Sequence, residues 1–269
     1  MSGKNHIWAF LHYFCPTFYK HMRYLIILFA LFFLKSGTIP GSFREKQMNY
    51  TRVREAYAHK EDIVDKTLGS HSISKDSLQI YLRAFKTEKK IELWAKNTCD
   101  PAFTLIKEFP ICEISGVVGP KRHSYDLQVP EGFYHISELN PYSKYYLSMR
   151  INYPNASDSI RGTRGHLGNL IYIHGNCESS GCIAITDEKI KELFVYCIDA
   201  YNSGQKEINI TIFPAQLNEA NYSRLTTGYS KNKDKISLWA DLKRSYDLFN
   251  KTKVPPMVKF LPDGTHEVK

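Results

Sequence analysis

Residues 170–204 contain an apolar run, a histidine, a thiol and a helical pattern in direct succession, and no other segment constrains the fold as strongly. Leu170 to Ile173 has the β-branched and aromatic composition of a buried strand, and His174-Gly175 follows it. Cys182 comes eight residues after the histidine, directly behind Gly181. The segment therefore predicts a rigid strand that ends in an imidazole, followed by a turn that exposes a thiol.

After the thiol, the spacing of apolar residues predicts a helix over residues 187–203. Thr186 is its candidate N-cap, and Gly204 is expected to end it. The positive end of this helix would lie near Cys182 and favour a thiolate, although two acids in the first turn would weaken that effect. The residues that recur at helical spacing are Ile190, Leu193, Phe194, Cys197, Ile198 and Tyr201.

The side chains of this segment match what a cysteine nucleophile needs. A thiol that attacks an amide requires a base to take its proton and N–H groups to stabilise the oxyanion. Cys182 is the candidate nucleophile and His174 the candidate base. The turn Ser180-Gly181-Cys182 is the candidate oxyanion site, because Gly181 accepts unusual dihedral angles and leaves room for a substrate.

Zinc binding is the alternative for the same residues, with His174, Cys177 and Cys182 as three ligands. A structural zinc site usually has a second compact ligand pair such as Cys-x2-Cys, which is absent elsewhere in this sequence. We therefore predict no metal and no cofactor. Cys177 would then be a small buried side chain or half of a disulfide, whereas Cys197, on the apolar helix face, is predicted to lie in the core.

Several blocks in a fixed order resemble the YkuD-type L,D-transpeptidase family, specifically its YafK-like branch. Within the central segment the matching residues are His174-Gly175, Ser180-Gly181-Cys182 and Thr186-Asp187. The resemblance covers roughly residues 50–260. Its upstream blocks are Tyr81-Leu82-Arg83-Ala84-Phe85-Lys86, Ile111-Cys112 with Ser115-Gly116, Gly119-Pro120-Lys121, Gln128-Val129-Pro130-Glu131-Gly132-Phe133-Tyr134, and Tyr153-Pro154-Asn155 with Asp158.

The resemblance implies a YkuD-type β-sandwich with flanking helices and acyl transfer on peptidoglycan stem peptides through a thioester on Cys182. It also implies that the backbone carbonyl of Gly175 orients the imidazole of His174. Two departures from the family pattern leave the acceptor open. Ala184 stands where an arginine is usual, and the stretch between histidine and cysteine is short.

Three functions stay open at this point. The first is transpeptidation, in which an amine accepts the acyl group. The second is hydrolysis by the same nucleophile, which would release a peptide or a wall-attached protein from peptidoglycan. The third is a wall-binding domain without catalysis. The sequence contains no nucleic-acid-binding motif, so nucleic acid is not an expected partner.

Four further residues are weaker candidates for substrate contacts. Tyr153 and Asn155 belong to a Tyr-Pro-Asn turn that would line the cleft, but a Pro-Asn pair is also ordinary turn chemistry. Arg161 and Arg164 would bind a substrate carboxylate through their guanidinium forks. The alternative is that both arginines are exposed on a glycine-bearing loop without such a role.

Residues 1–41 are predicted to be a signal peptide or an N-terminal anchor. Tyr24 to Leu34 is an uninterrupted apolar run of signal-peptide length, with basic residues before it and small residues after it. Met22 is an alternative start, so residues 1–21 would be an upstream extension. The protein is therefore expected to be exported to the periplasm or cell envelope, with membrane contact only through this segment if it is retained.

Composition after the predicted export segment fits one exported domain. Five cysteines follow it, an odd number, so at least one thiol stays unpaired and the others allow up to two disulfides. The pairing among Cys99, Cys112, Cys177 and Cys197 is not determined by the sequence. The formal charge of the chain is +9, of which the four basic residues in residues 1–40 contribute +4, since that segment has no acid. The remaining chain therefore carries +5, a charge that suits binding to an anionic envelope polymer.

The rest of the chain predicts a β-rich α+β fold. Residues 42–76 are predicted to be a helical lead-in, with a helix over 44–68. The resemblance implies that residues 77–269 are the L,D-transpeptidase-like catalytic domain. A final helix is expected around Ile236 to Phe249. Strands are expected at Ile80 to Ala84, Ile91 to Ala95, Phe103 to Cys112, Phe133 to Ile136, Tyr145 to Ile151, Leu170 to His174 and Ile208 to Ile212.

Overall fold

The computed structural model describes residues 41–269. The predicted export segment therefore lies outside the described residues except for Gly41 at its end. Within the described part of the chain, no helix is both long enough and apolar enough to cross a bilayer.

The described chain contains six helices and eleven strands. The helices are α1 (Phe43–Gln47), α2 (Thr51–Ser70), α3 (Ala156–Arg161), α4 (Asp187–Asn202), α5 (Glu219–Gly228) and α6 (Lys233–Thr252), with a 3-10 turn at Lys75–Ser77. The strands are β1 (Leu78–Phe85), β2 (Lys90–Asn97), β3 (Thr104–Pro110), β4 (Glu113–Ile114), β5 (Gly132–Asn140), β6 (Ser148–Ile151), β7 (Tyr172–His174), β8 (Ile183–Ala184), β9 (Asn209–Phe213), β10 (Val258–Phe260) and β11 (His266–Val268).

Nine strands form one curled mixed sheet in the order β3-β2-β1-β9-β5-β6-β7-β8-β4. The pairs β1–β9 and β7–β8 are parallel, and the other neighbours are antiparallel. The long strand β5 joins the two halves, since Gly132 to His135 pair with β9 and the residues from Ile136 onward pair with β6. A bulge between Ile136 and Glu138 bends it at that point, as strands that pass between two sheet halves commonly do.

The main core lies between the sheet and helices α2 and α4. Helix α2 buries the apolar face predicted from its sequence, which includes Val53, Val64 and Leu68. Helix α4 buries eleven of its sixteen residues, because it packs against α2, α1 and the sheet. Both halves of the sheet contribute to this one cluster, for example Leu82 from β1 and Ile173 from β7. The division predicted between residues 76 and 77 stays a prediction.

The α+β class is confirmed, and most predicted elements occur within a few residues of their expected positions. Three expectations were wrong in detail. The first helix is interrupted at residues 48–50, and Tyr145 precedes strand β6 rather than starting it. The strand before the histidine begins at Tyr172, because Leu170 has a φ of 62° and is 52% exposed. Helices α3 and α5 and the β10–β11 hairpin were not predicted from the sequence.

A buried ion pair holds the long connection between β4 and β5 against the sheet. Lys86, at the end of β1, contacts Glu131 at 2.9 Å and donates to the carbonyls of Gly119 and Val129, each at 2.9 Å. Glu131 also accepts from the Gly119 N–H at 2.6 Å and from Trp239 Nε1 at 2.8 Å. Burial lowers the pKa of Lys86, and the attraction of Glu131 opposes this.

Candidate active site

His174 is the last residue of β7 and is only 1% exposed. Its Nδ1 lies 2.5 Å from the carbonyl oxygen of the next residue, Gly175. A carbonyl only accepts, so this contact requires the proton on Nδ1 and leaves Nε2 as the basic nitrogen of the neutral ring. Among residues 41–269, Nε2 has no hydrogen-bond partner, yet it is not fully buried.

The imidazole is held between an aromatic ring and the sheet. The Tyr145 ring stacks on it with a centroid distance of 4.4 Å and an angle of 22°. Lys144 in turn lies 4.8 Å above the Tyr145 ring. Burial is the main cause that lowers the pKa of His174, Lys144 lowers it further, and the Gly175 contact opposes both. The ring is therefore neutral at physiological pH and able to accept a proton.

Strand register brings Cys182 to the same face of the sheet as His174. Ile173 pairs with Ile183 in the parallel β7–β8 ladder, and both side chains are buried on the core side. Side chains alternate along a strand, so His174 and Cys182 both point to the opposite face, away from the core. The thiol precedes β8 by one residue, which makes it the diagonal neighbour of the imidazole.

Cys182 is partly exposed and is a free thiol. The Sγ donates to the carbonyl oxygen of Leu170 at 3.8 Å. Burial raises the pKa of the Cys182 thiol, while the Tyr172 N–H, Lys121 and Lys144 oppose that rise. A raised thiol pKa beside a lowered imidazole pKa favours a neutral thiol and neutral imidazole over an ion pair. The predicted contribution of the α4 dipole, which would favour a thiolate, is opposite in sign to this rise in pKa and stays a prediction.

These shifts predict how Cys182 reacts with iodoacetamide as pH changes. Iodoacetamide reacts with the thiolate, and the pKa of the Cys182 thiol is raised above the ordinary cysteine value of 9.0. The alkylation rate should therefore still be rising at pH 9.0. Peptide-level mass spectrometry after timed alkylation measures this rate. His174→Asn should leave the profile nearly unchanged. A reactive plateau below pH 7 that disappears in His174→Asn would instead indicate a thiolate–imidazolium pair and contradict the assignment.

The turn before Cys182 is tied to the β4–β5 connection through Ser115. Ser115 Oγ accepts from the Gly181 N–H at 2.6 Å and lies 3.0 Å from Ser179 Oγ, which donates to the Cys182 carbonyl at 2.7 Å. The Gly181 N–H, predicted to serve the oxyanion, thus already has an acceptor. Within residues 41–269 the Cys182 N–H has none, so it is the nearer candidate for that role.

Helix α4 fixes the turn that follows His174. The Asp187 carboxylate, in the first turn of α4, accepts from the Asn176 N–H at 2.7 Å. Thr186 occupies the N-cap position as predicted, but its side chain makes no capping bond, so that part of the expectation was wrong. Its φ of 67° places the residue outside the conformation in which a cap side chain reaches the helix N–H groups. Gly204 follows the end of α4 with a φ of 98°, as predicted.

Gly175 is required because there is no space for a side chain. A Cβ there would meet the Asp187 carboxylate and lie 2.8 Å from the Tyr145 carbonyl oxygen. We expect Gly175→Ala to lower the free energy of unfolding by about 1–3 kcal/mol, measured by urea denaturation. Gly69→Ala is the matched control, because no atom lies within 4 Å of that position in α2, and it should be neutral or slightly stabilising. Equal effects would contradict the steric argument.

Cys112 and Cys177 form a disulfide with a Cα–Cα distance of 5.7 Å. It connects the start of β4 to the loop between His174 and Cys182. Cys177 is therefore not available as a zinc ligand, which removes one of the three groups of the metal alternative. In the described residues, Cys99, Cys182 and Cys197 remain thiols, with Cys197 buried in the core as predicted.

The weaker sequence candidates mostly have structural partners. Tyr153 is 2% exposed and donates to the Leu167 carbonyl at 3.2 Å. Asn155 caps α3 through a reciprocal capping box with Asp158. Arg161 donates to the Asp263 carbonyl at 2.9 Å and contacts Asp234 at 3.4 Å. These contacts occupy Arg161 and the polar groups of Tyr153 and Asn155 within the fold.

Arg164 is exposed on the loop after α3, and Ser180 is exposed in the turn before Cys182. Substrate contact by either residue stays a prediction. Sequence reasoning missed the roles of three other residues near the site. Tyr145 stacks on His174, Ser115 holds the Gly181 turn, and Lys144 acts electrostatically on both His174 and Cys182. Ser115 lies in a family-like block, but no local pattern indicates the contacts of Tyr145 or Lys144.

Residues 80–205, which include most of the curled sheet, match the L,D-transpeptidase catalytic domain (YkuD). The chain is 36% identical over 181 residues to "Putative L,D-transpeptidase YafK" of Escherichia coli (strain K12), covering 66% of this chain and 70% of that protein. The chain belongs to the YkuD-type L,D-transpeptidase family, as a YafK-like member. Membership supports a role in cell-wall remodelling, with peptidoglycan stem peptides as the kind of partner and the cell envelope as the site of action.

Two solved structures are similar in part. The helical cell shape determining protein Pgp2 from Campylobacter jejuni has a TM-score of 0.41 at 18% identity, covering 74% of this chain and 80% of its own. Bdellovibrio bacteriovorus Bd1075 has a TM-score of 0.39 at 21% identity, covering 66% of this chain and 75% of its own. The family assignment rests on the sequence matches.

Proposed function

We propose that this protein catalyses cysteine-dependent acyl transfer on peptidoglycan stem peptides, with Cys182 as nucleophile and His174 as general base. One observation carries the proposal. The Gly175 carbonyl binds the Nδ1 side of a neutral imidazole, and this leaves Nε2 as the base on the face of the sheet that carries the Cys182 thiol. Acyl transfer by a thiol needs this combination of groups.

In the first half-reaction, His174 Nε2 takes the thiol proton as Cys182 Sγ attacks the carbonyl carbon of a substrate amide. The resulting oxyanion would be stabilised by the Cys182 N–H. As the intermediate collapses, the carbon–nitrogen bond breaks and the imidazolium returns its proton to the leaving amine. The acyl group remains on sulfur as a thioester, and His174 is neutral again.

In the second half-reaction, His174 takes a proton from the acceptor, which attacks the thioester carbonyl. The carbon–sulfur bond then breaks, and the imidazolium returns the proton to sulfur, which restores the Cys182 thiol and neutral His174. An amine acceptor gives transpeptidation, and water gives hydrolysis. One observation favours hydrolysis as the second candidate. Ala184 is fully buried and paired with both His174 and Glu113, so this position offers no cation to an incoming acceptor.

Intact mass spectrometry of the purified protein with muropeptides, with and without an amine acceptor, tests the proposal. We expect an acyl adduct on Cys182 that is absent in Cys182→Ala. A product joined to the acceptor would indicate transpeptidation, whereas cleavage without joining would indicate hydrolysis. Adduct and product that persist in Cys182→Ala would refute the cysteine mechanism.

We also propose that the protein is exported to the periplasm or cell envelope, where its substrate lies. The Cys112–Cys177 disulfide supports export, because disulfides persist in oxidising compartments. Residues 1–41 would direct this export, either as a signal peptide that is cleaved or as an N-terminal anchor that is retained. N-terminal sequencing of the native protein tests it, and a native chain found only in the cytoplasm with residues 1–41 intact would contradict it.

A further inference from the structure

A row of four side chains crosses the outward face of the sheet and begins at Cys182. Tyr172 lies beside Cys182, one residue before the Ile173–Ile183 pair of the β7–β8 ladder. Tyr172 pairs with Arg150 of β6, and Arg150 pairs with Glu138 of β5. Adjacent strands are about 4.8 Å apart, so the row extends about 14 Å from the thiol. We call these four residues the outward row.

Burial confirms that the row faces away from the core. Ile173, Met149 and Ile151 flank the row members on β7 and β6, and all three are buried in the main core. Tyr172 and Arg150 are partly exposed and Glu138 is exposed. Burial and the nearby Glu138 carboxylate raise the pKa of Tyr172, and Arg150 opposes that rise, which is consistent with the alignment of these three side chains on one face.

The two charged members of the row are free to bind a ligand. Glu138 and Arg150 are directly opposite each other, a position where unlike charges usually interact. Nevertheless, within residues 41–269 neither the Arg150 guanidinium nor the Glu138 carboxylate has a hydrogen bond or an ion pair. The one side-chain bond to this pair is from Ser137 Oγ to the Arg150 backbone carbonyl.

We propose that the outward row is a substrate subsite in which Arg150 binds a carboxylate of the peptide held at Cys182. This inference rests on the proposed function and names the residue that recognises the substrate's charge. A planar guanidinium with all its donors free matches a carboxylate in two parallel hydrogen bonds. Tyr172 lies between Arg150 and the thiol as a surface for the intervening peptide. Glu138, next to Arg150, disfavours a doubly charged anion such as phosphate.

Binding measurements in the Cys182→Ala background test the subsite without turnover. The probes are a disaccharide-tetrapeptide muropeptide and the same compound with its carboxylates converted to amides, titrated by calorimetry. Arg150→Gln should weaken binding of the carboxylate form by about 10- to 100-fold and change binding of the amide form by less than about threefold. Arg150→Lys should recover part of the loss.

Glu138→Gln supplies a test of opposite sign. If Arg150 acts through its charge on a carboxylate, removing the neighbouring negative charge should leave binding unchanged or strengthen it. A merely structural pair would lose affinity in both variants. Arg224→Gln is the matched control, since Arg224 is exposed on α5 and its side chain bonds only Asn221 in the described residues.

The proposed carboxylate subsite is refuted if Arg150→Gln weakens binding of both ligands equally, or of neither. It is also refuted if Glu138→Gln weakens binding of the carboxylate form, or if neither ligand binds. Its failure is separable from failure of the proposed function. If Arg150→Gln weakens binding of the carboxylate form but not of the amide form, and no Cys182-dependent product forms, the subsite is supported and acyl transfer is refuted. If a Cys182-dependent product forms but Arg150→Gln does not distinguish the two ligands, acyl transfer is supported and the subsite is refuted.

Discussion

Replacing Cys182 with alanine should reduce turnover of muropeptides by at least about a thousandfold, because no other group in the site can form the thioester. His174→Ala should cause a loss of similar size. The thiol is mostly protonated at neutral pH, and without the imidazole nothing removes its proton. Product formation followed by chromatography of muropeptides measures both effects. Because the two residues act as one unit, the double variant should be little worse than either single variant.

The other thiols provide matched controls for this prediction. Cys99→Ala removes an exposed thiol that has no disulfide partner within residues 41–269, and it should retain wild-type turnover. Circular dichroism and unfolding curves of Cys182→Ala should match the wild type, since the side chain is only partly buried and its contacts in residues 41–269 are weak bonds to the Leu170 carbonyl and the Tyr172 N–H. Wild-type turnover in a folded Cys182→Ala protein would contradict the mechanism and favour a wall-binding domain without catalysis.

Substituting Lys86 with methionine should lower the free energy of unfolding by about 3–5 kcal/mol. The change leaves the Glu131 carboxylate buried without its cation and leaves the Val129 carbonyl without its donor, whereas the Gly119 carbonyl keeps the hydrogen bond from Gln128 Nε2. Replacing Glu131 with leucine should have a comparable effect. Guanidinium unfolding followed by tryptophan fluorescence is a suitable measurement, because Trp239 donates to Glu131.

The double variant Lys86→Met with Glu131→Leu should be less destabilised than the sum of the two single variants, since neither charge is then left alone. Lys243→Met is the control for an exposed pair, because its partners Glu219 and Asp247 are largely exposed, and it should change stability by less than about 1 kcal/mol. A loss in Lys86→Met no larger than in Lys243→Met would show that the buried pair does not hold the β4–β5 connection.

Much of the candidate site was readable from sequence because its parts are close along the chain. The segment from His174 to Gly204 contains a strand end, a turn and a helix, and each is encoded by local composition and spacing. The family resemblance implies a contact between the Gly175 carbonyl and the His174 imidazole, and the structure has this contact between the two adjacent residues. Position 175 has no room for a side chain, and the His174-Gly175 motif already shows a glycine there in the sequence.

The contacts across the sheet were not readable, because they join residues far apart in the chain. Ser115 binds the Gly181 turn across 66 residues, and the Cys112–Cys177 disulfide spans 65. Lys86 and Glu131 both lie in family-like blocks, but nothing in either block indicates that they pair. Arg150 reaches the face of Cys182 only through the registers of β6, β7 and β8, and a shift of one residue would turn its side chain to the core.

Local sequence was therefore enough to propose the candidate nucleophile and base and to predict the α+β class, since hydrophobic period and turn chemistry act over a few residues. Tertiary structure decided the direction of the pKa shifts in His174 and Cys182, the pairing of Cys112 with Cys177 and the side chains that share a face with the thiol. Burial changes pKa values only when distant segments exclude water, and strand register is set only when the sheet is assembled. These properties depend on the packing of the whole domain rather than on any one segment.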